Sequence, residues 1–423
     1  MEVLLINYCL YTGGVETLMV RMANWLVRKG HGCSILLRDT FDGDLRPLLD
    51  ERVRVRTLAN RWDLLAMPVV GSLLWKSWKL PRPDMIYTME QSWSVVSLLV
   101  RDLFVNHPPK VATGAYHPRQ FTYEYVPRKW GRLGLFRQKV YNLAYTDEQK
   151  FFMSEEVRAG HEEFFNRPMP DGWVWPLPIE IPPDELLSQR KPVPRRILSI
   201  GRLTRFKTYS WYMVPILYAL REKYPDVQWH IHGFGAQEKE LVEDVWKDAI
   251  RDGLIVFHGP IRYEDISTAF HQASVFIGMG TTLLEAAAWG VPAIPALTYD
   301  EDALSWGYID QMPYYTCGEL IPGRQPTAKV MDLICRLFGM NAKETEQLAA
   351  KGREYVNAYS MDHLMERFLE KVNELPSGEP LSASDRLRYL WIRALKFPRN
   401  LWLSLSRIGR EPLRHAGGYR VMH

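Results

Sequence analysis

The chain has 423 residues, room for two or three domains of ordinary size, which excludes a small disulfide-stapled module or a peptide hormone. Hydrophobic residues make up 47% and charged residues 24%, so the chain buries sizeable cores and is not disordered overall. The formal net charge is +4, yet residues 385–423 carry nine Lys or Arg against two acids, which leaves the preceding chain weakly acidic. The four cysteines, Cys9, Cys33, Cys317 and Cys335, lie far apart without a C-x-x-C pair; this excludes a zinc ribbon or dithiol motif and fits a reducing compartment. The first residues lack a basic n-region. The longest weakly polar stretch, residues 64–75, contains Pro68 and falls short of the roughly 20 residues that span a bilayer. A cytoplasmic protein with at most peripheral membrane contact is expected.

Val3, Leu4, Leu5 and Ile6 form a short apolar run followed by Gly13-Gly14, after which Val15, Leu18, Met19, Met22 and Leu26 recur at helical spacing up to Gly30. This predicts a strand, a glycine turn, a helix and its stop. Residues 33–37 are a second apolar run, and the order strand, helix, strand implies a parallel sheet with right-handed crossover. Residues 181–195, with four prolines, predict a linker between a domain over 1–180 and one over 196–358. There the same grammar restarts. A strand over 197–200 ends at Gly201, a helix covers about 209–223, and Val227, Trp229 and Ile231 alternate into Gly233-Phe234-Gly235. A helix from Glu238, a strand over 255–257, a helix over 263–273 and a strand over 275–277 follow, and Gly278-Met279-Gly280 opens a helix over 282–289. An amphipathic crossover helix over 359–375, marked by Leu364, Phe368, Leu369 and Val372, precedes a basic amphipathic tail over 376–423. The expected fold class is α/β, with two tandem Rossmann-like doubly wound parallel-sheet domains facing across a cleft, because open parallel sheets bind ligands at the carboxyl ends of their strands.

The densest constellation runs from Gly278 through Gly280, Thr281, Thr282 and Glu285 to Gly290 and Pro292. Glycines at a strand-to-helix turn let backbone N–H groups approach a ligand, and the helix N-terminus favours a phosphate. Glu285, one turn into the helix, either accepts from two ribose hydroxyls or closes a capping box onto the backbone N–H of Thr282. Arg202 and Lys207 lie on one loop after the second domain's first strand. They are either two cations for a diphosphate leaving group or two solvated surface charges. Gly13-Gly14 opens the first helix in the same manner. Asp42-Gly43-Asp44 matches a short D-x-D metal pattern but sits among loop residues, where such tripeptides occur by chance.

Together these residues resemble the retaining glycosyltransferases of the GT-B fold, the large "glycosyl transferases group 1" family that uses nucleotide-diphosphate sugars. The resemblance spans most of residues 1–375. It rests on Gly13-Gly14-Val15-Glu16, Gly30-His31-Gly32-Cys33, Gly201-Arg202-Leu203 with Lys207, His232-Gly233-Phe234-Gly235, Phe257-His258-Gly259, and Leu284-Glu285-Ala286 through Gly290-Val291-Pro292. It implies that Arg202 and Lys207 hold the donor diphosphate, Glu285 the ribose, and that Gly13 and Gly14 admit the phosphates, with Gly280, Thr281 and Thr282 beside them. It also implies that His117, in Gly114-Ala115-Tyr116-His117-Pro118, touches the donor sugar near the reacting carbon, and that no metal and no cofactor are needed beyond the nucleotide-sugar donor. One position departs from the family, which commonly has a first glutamate eight residues before the second: here it is Ile277, which cannot bond a sugar hydroxyl.

Residues 62–130 contain Trp62, Trp75, Trp78, Trp93 and Trp130, as core or as lipid contacts. Residues 128–139 set Arg128, Lys129, Arg132, Arg137 and Lys139 around Trp130, Leu133, Leu135 and Phe136, as an interfacial segment on anionic lipid does, or as an amphipathic helix with a solvated basic face does. The tail mixes Leu387, Leu390, Trp391, Leu395, Trp402 and Leu405 with six basic residues; an anionic membrane surface suits it better than a partner protein or nucleic acid, for which no module is present. Two readings of function stand. One is a glycosyltransferase acting on a lipid-linked or growing glycan in cell-surface polysaccharide synthesis, peripheral on the cytoplasmic membrane face. The other is an inactive scaffold or regulatory subunit of such an assembly. A nicotinamide dehydrogenase fits less well, because Gly233-Phe234-Gly235 lacks the third glycine of the dinucleotide fingerprint.

Overall fold

The structure, a computed structural model, describes residues 1–11, 13–38, 45–58, 61–90, 93–117, 131–321, 323–378 and 380–392, with only the backbone for 61–66 and 131–133. Asp42-Gly43-Asp44, residues 128–130 and the tail beyond residue 392 lie outside the described residues. The chain divides into two compact units, one formed by Met1–Trp175 with the chain from Met365 onward, the other by Pro176–Leu364. Among the described residues no helix is long and apolar enough to cross a membrane, and all four cysteines carry free thiols.

The first unit is built on seven strands: β1 (Glu2–Asn7), β2 (Gly32–Leu37), β3 (Arg54–Thr57), β4 (Met85–Thr88), β5 (Lys110–Ala115), β6 (Lys150–Phe152) and β7 (Trp173–Val174). All pair in parallel, in the order β3-β2-β1-β4-β5-β6-β7. Helices α1 (Gly14–Arg28), α2 (Arg61–Trp78), α3 (Ser94–Arg101), α4 (Gly131–Ala144) and α5 (Glu155–Phe165) supply the crossovers. Helices cover both faces of such a sheet, so its strands are apolar throughout rather than alternating, as Val3, Leu4, Leu5 and Ile6 show.

The core beside this sheet takes in Trp75, Trp78 and Trp93, which settles them as packing residues rather than lipid contacts. Phe136 and Arg137 also point inward, the Arg137 guanidinium lying 6.0 Å from the Trp93 ring. The expectation that they belong to an interfacial face is therefore corrected; of that set Leu135 and Lys139 are exposed. The segment after Pro376 also docks rather than trailing away. Residues 383–392 are helical, and Leu381, Tyr389 and Ile392 enter the same core. Asp102, nearly fully buried, accepts from Arg101 at 2.7 Å, from Arg386 at 2.8 Å and from the Leu381 N–H at 3.2 Å. Lys139 pairs with Asp385 at 3.1 Å.

The second unit has β8 (Arg196–Ile200), β9 (Gln228–His232), β10 (Ile255–Gly259), β11 (Val275–Gly278) and β12 (Ala293–Pro295), parallel in the order β10-β9-β8-β11-β12. Its first helices are α6 (Asp184–Leu187), α7 (Tyr209–Lys223), α8 (Glu238–Glu240) and α9 (Lys247–Arg251), the last two separated by a π-helical turn, Leu241–Val245, where sequence periodicity suggested one element. Then come α10 (Ile266–Gln272), α11 (Thr281–Ala288), α12 (Val330–Phe338) and α13 (Ala342–Val356). The last helix, α14 (Met361–Glu374), passes from the second unit's residues into the first unit's. There Phe368 packs on Tyr87, Phe151 and Trp175 at ring separations of 5.3, 5.8 and 5.2 Å. Lys110 donates to the Val372 carbonyl at 2.9 Å and also to that of Asn373, a cation at the negative end of the helix.

Removing Asp102 strands the buried Arg101 guanidinium and releases the docked C-terminal segment. Asp102→Ala is expected to cost the first unit about 3–5 kcal/mol, read as a lowered urea midpoint, whereas Arg386→Ala, which leaves the Arg101 pair intact, costs less.

Candidate functional site

Open parallel sheets bind ligands where strand order reverses, because the crossovers on either side leave a crevice at the carboxyl ends. In the second unit the reversal lies between β8 and β11, and the residues leaving those two strands are the Arg202–Lys207 loop and the start of α11. Arg202 is exposed and Lys207 buried. The chain bends back after β8, with the Lys207 N–H donating to the Thr204 carbonyl at 3.0 Å, and this sets the lysine side chain over Gly201. A Cβ at Gly201 would stand 2.6 Å from Lys207 Nζ. Among the described residues the Lys207 ammonium forms no ion pair. Burial, with the Arg202 charge beside it, lowers Lys207 from 10.5 to about 7. A desolvated ammonium next to a guanidinium is a site that an anion relieves.

The Gly233-Phe234-Gly235 motif supports this loop. A Cβ on Gly233 would collide with the Gly201 carbonyl and one on Gly235 with the backbone of Leu203, and the Leu203 N–H donates to the Phe234 carbonyl at 2.8 Å. The two glycines let the exits of β8 and β9 lie backbone against backbone.

On the other side of the crevice, β11 reaches α11 through Met279 and Gly280 alone. Gly280 caps the helix at φ +81°, a conformation that favours glycine. Its N–H donates to the Cys317 carbonyl at 2.7 Å. The Cys317 N–H in turn donates to the carboxyl of Glu319, a buried group whose pKa is raised by desolvation. Thr282 Oγ1 donates to the Ile200 carbonyl at 2.9 Å, tying the helix start to the end of β8. Thr281 and Thr282 thus lie at the very start of the helix, where N–H groups precede any intrahelical acceptor; the Leu283 N–H already donates to the Gly280 carbonyl at 3.1 Å. The cap is Gly280 with no side-chain hydrogen bond, so the capping-box reading of Thr282 and Glu285 does not hold; Glu285 is the fifth residue of α11 and is buried. The short connection also explains Ile277. That position is a fully buried strand residue, its carbonyl accepting from Ser199 Oγ at 2.5 Å, and there is no loop on which a sugar-binding glutamate would sit.

In the first unit the order reverses between β1 and β4, and Gly13 and Gly14 leave β1. Gly13 is extended (φ −167°) and Gly14 is the exposed first residue of α1. Among the described residues, a Cβ on Gly14 would meet nothing within 4 Å. His117 lies two residues beyond β5. The ring of Tyr116 folds back over Gly114, where a Cβ would strike it, and its hydroxyl pairs with that of Tyr87 at 2.8 Å. The His117 carbonyl lies 3.4 Å from Nε2 of His161, whose Nδ1 is 3.0 Å from the Tyr141 hydroxyl.

Sequence reasoning did not single out Tyr87, Tyr116, Tyr141, His161 or Glu319, which come from separate elements. The available signal for His161 was its position four residues after Val157, on the buried face of α5. His230, His232 and His258 form a stack, with ring separations of 5.2 Å (His230–His258) and 4.4 Å (His232–His258). Burial lowers all three from their ordinary value, His230 and His232 to about 4. Among the described residues no group of His, Cys, Asp or Glu has the arrangement to hold a metal ion.

Residues 194–300, which include Arg202, Lys207 and the α11 residues, match the family model described as Glycosyl transferases group 1. No curated protein sequence matches the chain. Among solved structures, the chain is similar to Anabaena HepE in complex with UDP and glucose, with a TM-score of 0.59 and 16% identity over 89% of this chain and 100% of that one. It is also similar to sucrose-phosphate synthase from Thermosynechococcus elongatus (TM-score 0.58, 16% identity, 88% of this chain and 98% of that one). A third similar structure is the apo form of the lipopolysaccharide outer core galactosyltransferase WaaB (0.52, 13%, 88% and 99%). These likenesses establish the fold, two Rossmann-like domains of the GT-B type.

Gly201→Ala displaces the tip of a flexible side chain and little else. It is expected to leave thermal stability nearly unchanged while weakening the calorimetric affinity for a nucleoside diphosphate by about tenfold, or about 1.4 kcal/mol.

Proposed function

We propose that the protein is a metal-independent, retaining glycosyltransferase that moves a sugar from a UDP-linked donor to a lipid-linked or growing glycan acceptor in cell-surface polysaccharide synthesis. The observation that carries this reading is the crevice between β8 and β11, where a buried Lys207 ammonium that forms no ion pair among the described residues, the Arg202 guanidinium and the α11 N-terminus converge. The family match over 194–300 and the UDP-glucose bound by HepE favour a nucleotide-sugar donor.

Breaking the bond between the sugar's anomeric carbon and the diphosphate leaves negative charge on the departing phosphate. Preorganised cations and N–H dipoles stabilise that charge more than the ground state, which is how they raise the rate. In this reading Lys207, Arg202 and the first-turn amides of α11 serve the leaving group, Glu285 accepts from the ribose hydroxyls, Gly13 and Gly14 leave room for the phosphates, and His117 contacts the sugar. The missing loop before α11 favours a second reading, a GT-B-fold scaffold that binds the nucleotide without turning it over.

Turnover of UDP-glucose that persists in EDTA and falls about 10²–10³-fold in Arg202→Ala and Lys207→Met is the outcome the transferase reading expects; binding of UDP without turnover of any donor is what the scaffold reading expects. The lysine also sets a pH dependence. Lys207 titrates near 7 when folded against 10.5 ordinarily, so between those values the native state binds fewer protons than the unfolded one and this contribution to stability rises with pH. A bound diphosphate favours the protonated form. UDP binding should therefore take up a proton above about pH 7 and weaken as pH rises towards 9, measurable by calorimetry in buffers of different ionisation enthalpy and absent in Lys207→Met.

For the acceptor side we propose peripheral attachment to an anionic membrane on the cytoplasmic face. Leu135 and Leu143 on α4 and Leu387 and Trp391 on the docked C-terminal helix are each more than half exposed, and the Lys139–Asp385 pair joins the two helices. Exposed apolar groups beside Lys139 and Arg388 suit an acidic headgroup layer, where each basic residue contributes about 1 kcal/mol. Leu387→Asp with Trp391→Asp is expected to reduce co-sedimentation with phosphatidylserine vesicles, and high salt to reduce it further.

A further inference from the structure

We infer that Tyr141 and His161 form a positioning relay that sets the place of His117, and that the His161 Nε2–H is the group through which it acts. The inference rests on the reading that His117 contacts the donor sugar.

A carbonyl oxygen only accepts, so the 3.4 Å contact from His161 Nε2 to the His117 carbonyl puts the ring proton on Nε2. Nδ1 is then bare and accepts from the Tyr141 hydroxyl at 3.0 Å. In this tautomer both ring nitrogens are used. The ring is completely buried, set edge-on to Phe152 at 5.3 Å and to Tyr141 at 5.8 Å. Desolvation lowers His161 to about 3, so it stays a neutral donor across the working range of pH.

A buried imidazole is costly unless its nitrogens are satisfied. Its Nε2–H partner here is the carbonyl of a residue that has already left the sheet, so satisfying His161 requires His117 to be in place. The base of the relay is rigid. Tyr141 lies under the Lys150 ammonium at 5.3 Å. That ammonium is held by Asp147 at 2.9 Å, and Asp147 is held by Arg167 at 2.7 Å. On the preceding side of His117 the Tyr116 ring is pinned over Gly114 and bonded to Tyr87. The chain on either side of the His117 Cα is thus anchored, by the Tyr116 ring before it and by the His161 contact to its carbonyl after it.

The test uses the full chain and the variants His161→Gln, His161→Leu, Tyr141→Phe and His117→Ala. Glutamine keeps a donor near the Nε2 position and leucine removes it. With UDP-glucose as the donor probe, His161→Leu is expected to lower kcat about tenfold to a hundredfold with UDP affinity unchanged, and His161→Gln to restore most of the loss. Side-chain 15N spectra should show His161 protonated at Nε2 alone, and the His117 ring resonances should move in His161→Leu but not in His161→Gln. The inference is overturned if His117→Ala abolishes turnover while folded His161→Leu does not, if Gln and Leu behave alike, or if His161 carries its proton on Nδ1. If His117→Ala leaves turnover intact, it is the role of His117 that fails, and the inference falls with it. Should His161→Leu not fold, the His161 tautomer and the His117 resonances in Tyr141→Phe decide the question.

Discussion

The crevice between β8 and β11 depends on one steric allowance, the missing Cβ at Gly201. The Lys207 ammonium lies against that space, where it is out of water and next to Arg202. Its lowered pKa and its suitability for an anion follow from that placement. The neighbouring glycines have related tasks. Gly233 and Gly235 bring the β9 exit under the β8 exit, and Gly280 adopts the left-handed conformation that turns β11 directly into α11. A pattern that resembles a cofactor fingerprint in the sequence is, in this unit, the packing that holds two cations and a helix terminus at one strand-order reversal.

The first unit is organised differently. Its exit from β5 is held by tyrosine and histidine side chains rather than by glycine turns, and its outer helices share a core with the segment that follows α14. The buried Arg101–Asp102 pair is what makes that segment part of the fold. Two charges taken out of water are tolerable only together, and Asp102 has enough acceptor capacity to hold both Arg101 and Arg386. The docked helix buries Tyr389 and Ile392 and leaves Leu387 and Trp391 outside, so one short amphipathic element faces the protein on one side and solvent on the other.

Much of the fold was legible because parallel α/β units announce themselves locally. Apolar runs such as residues 3–6 and 197–200, each followed by a glycine turn and a 3.6-residue periodicity, leave few alternatives. The residues of the β8–β11 crevice were legible for the same reason, since Arg202, Lys207 and the α11 start lie just after strands. What failed were readings that needed a side chain's direction. Phe136 and Arg137 belong to a basic, apolar stretch that suits a lipid surface equally well, and only packing against Trp93 shows that they point inward. Thr282 and Glu285 have capping-box spacing, yet the helix begins at Thr281 and Thr282 bonds to β8 instead.

By itself the sequence determined the two parallel sheets, the identity of the glycines at their exits and the cations beside them, because strand and helix periods and glycine's tolerance of left-handed backbone are properties of short segments. Only the tertiary structure decided that Lys207 is buried over Gly201, that the helix after β11 begins at Thr281 with Thr282 bonded to β8, and that Tyr141 and His161 stand behind His117. Those relations join residues from separate elements, and burial, pKa and hydrogen-bond partnership come into being only when the chain has brought such residues together.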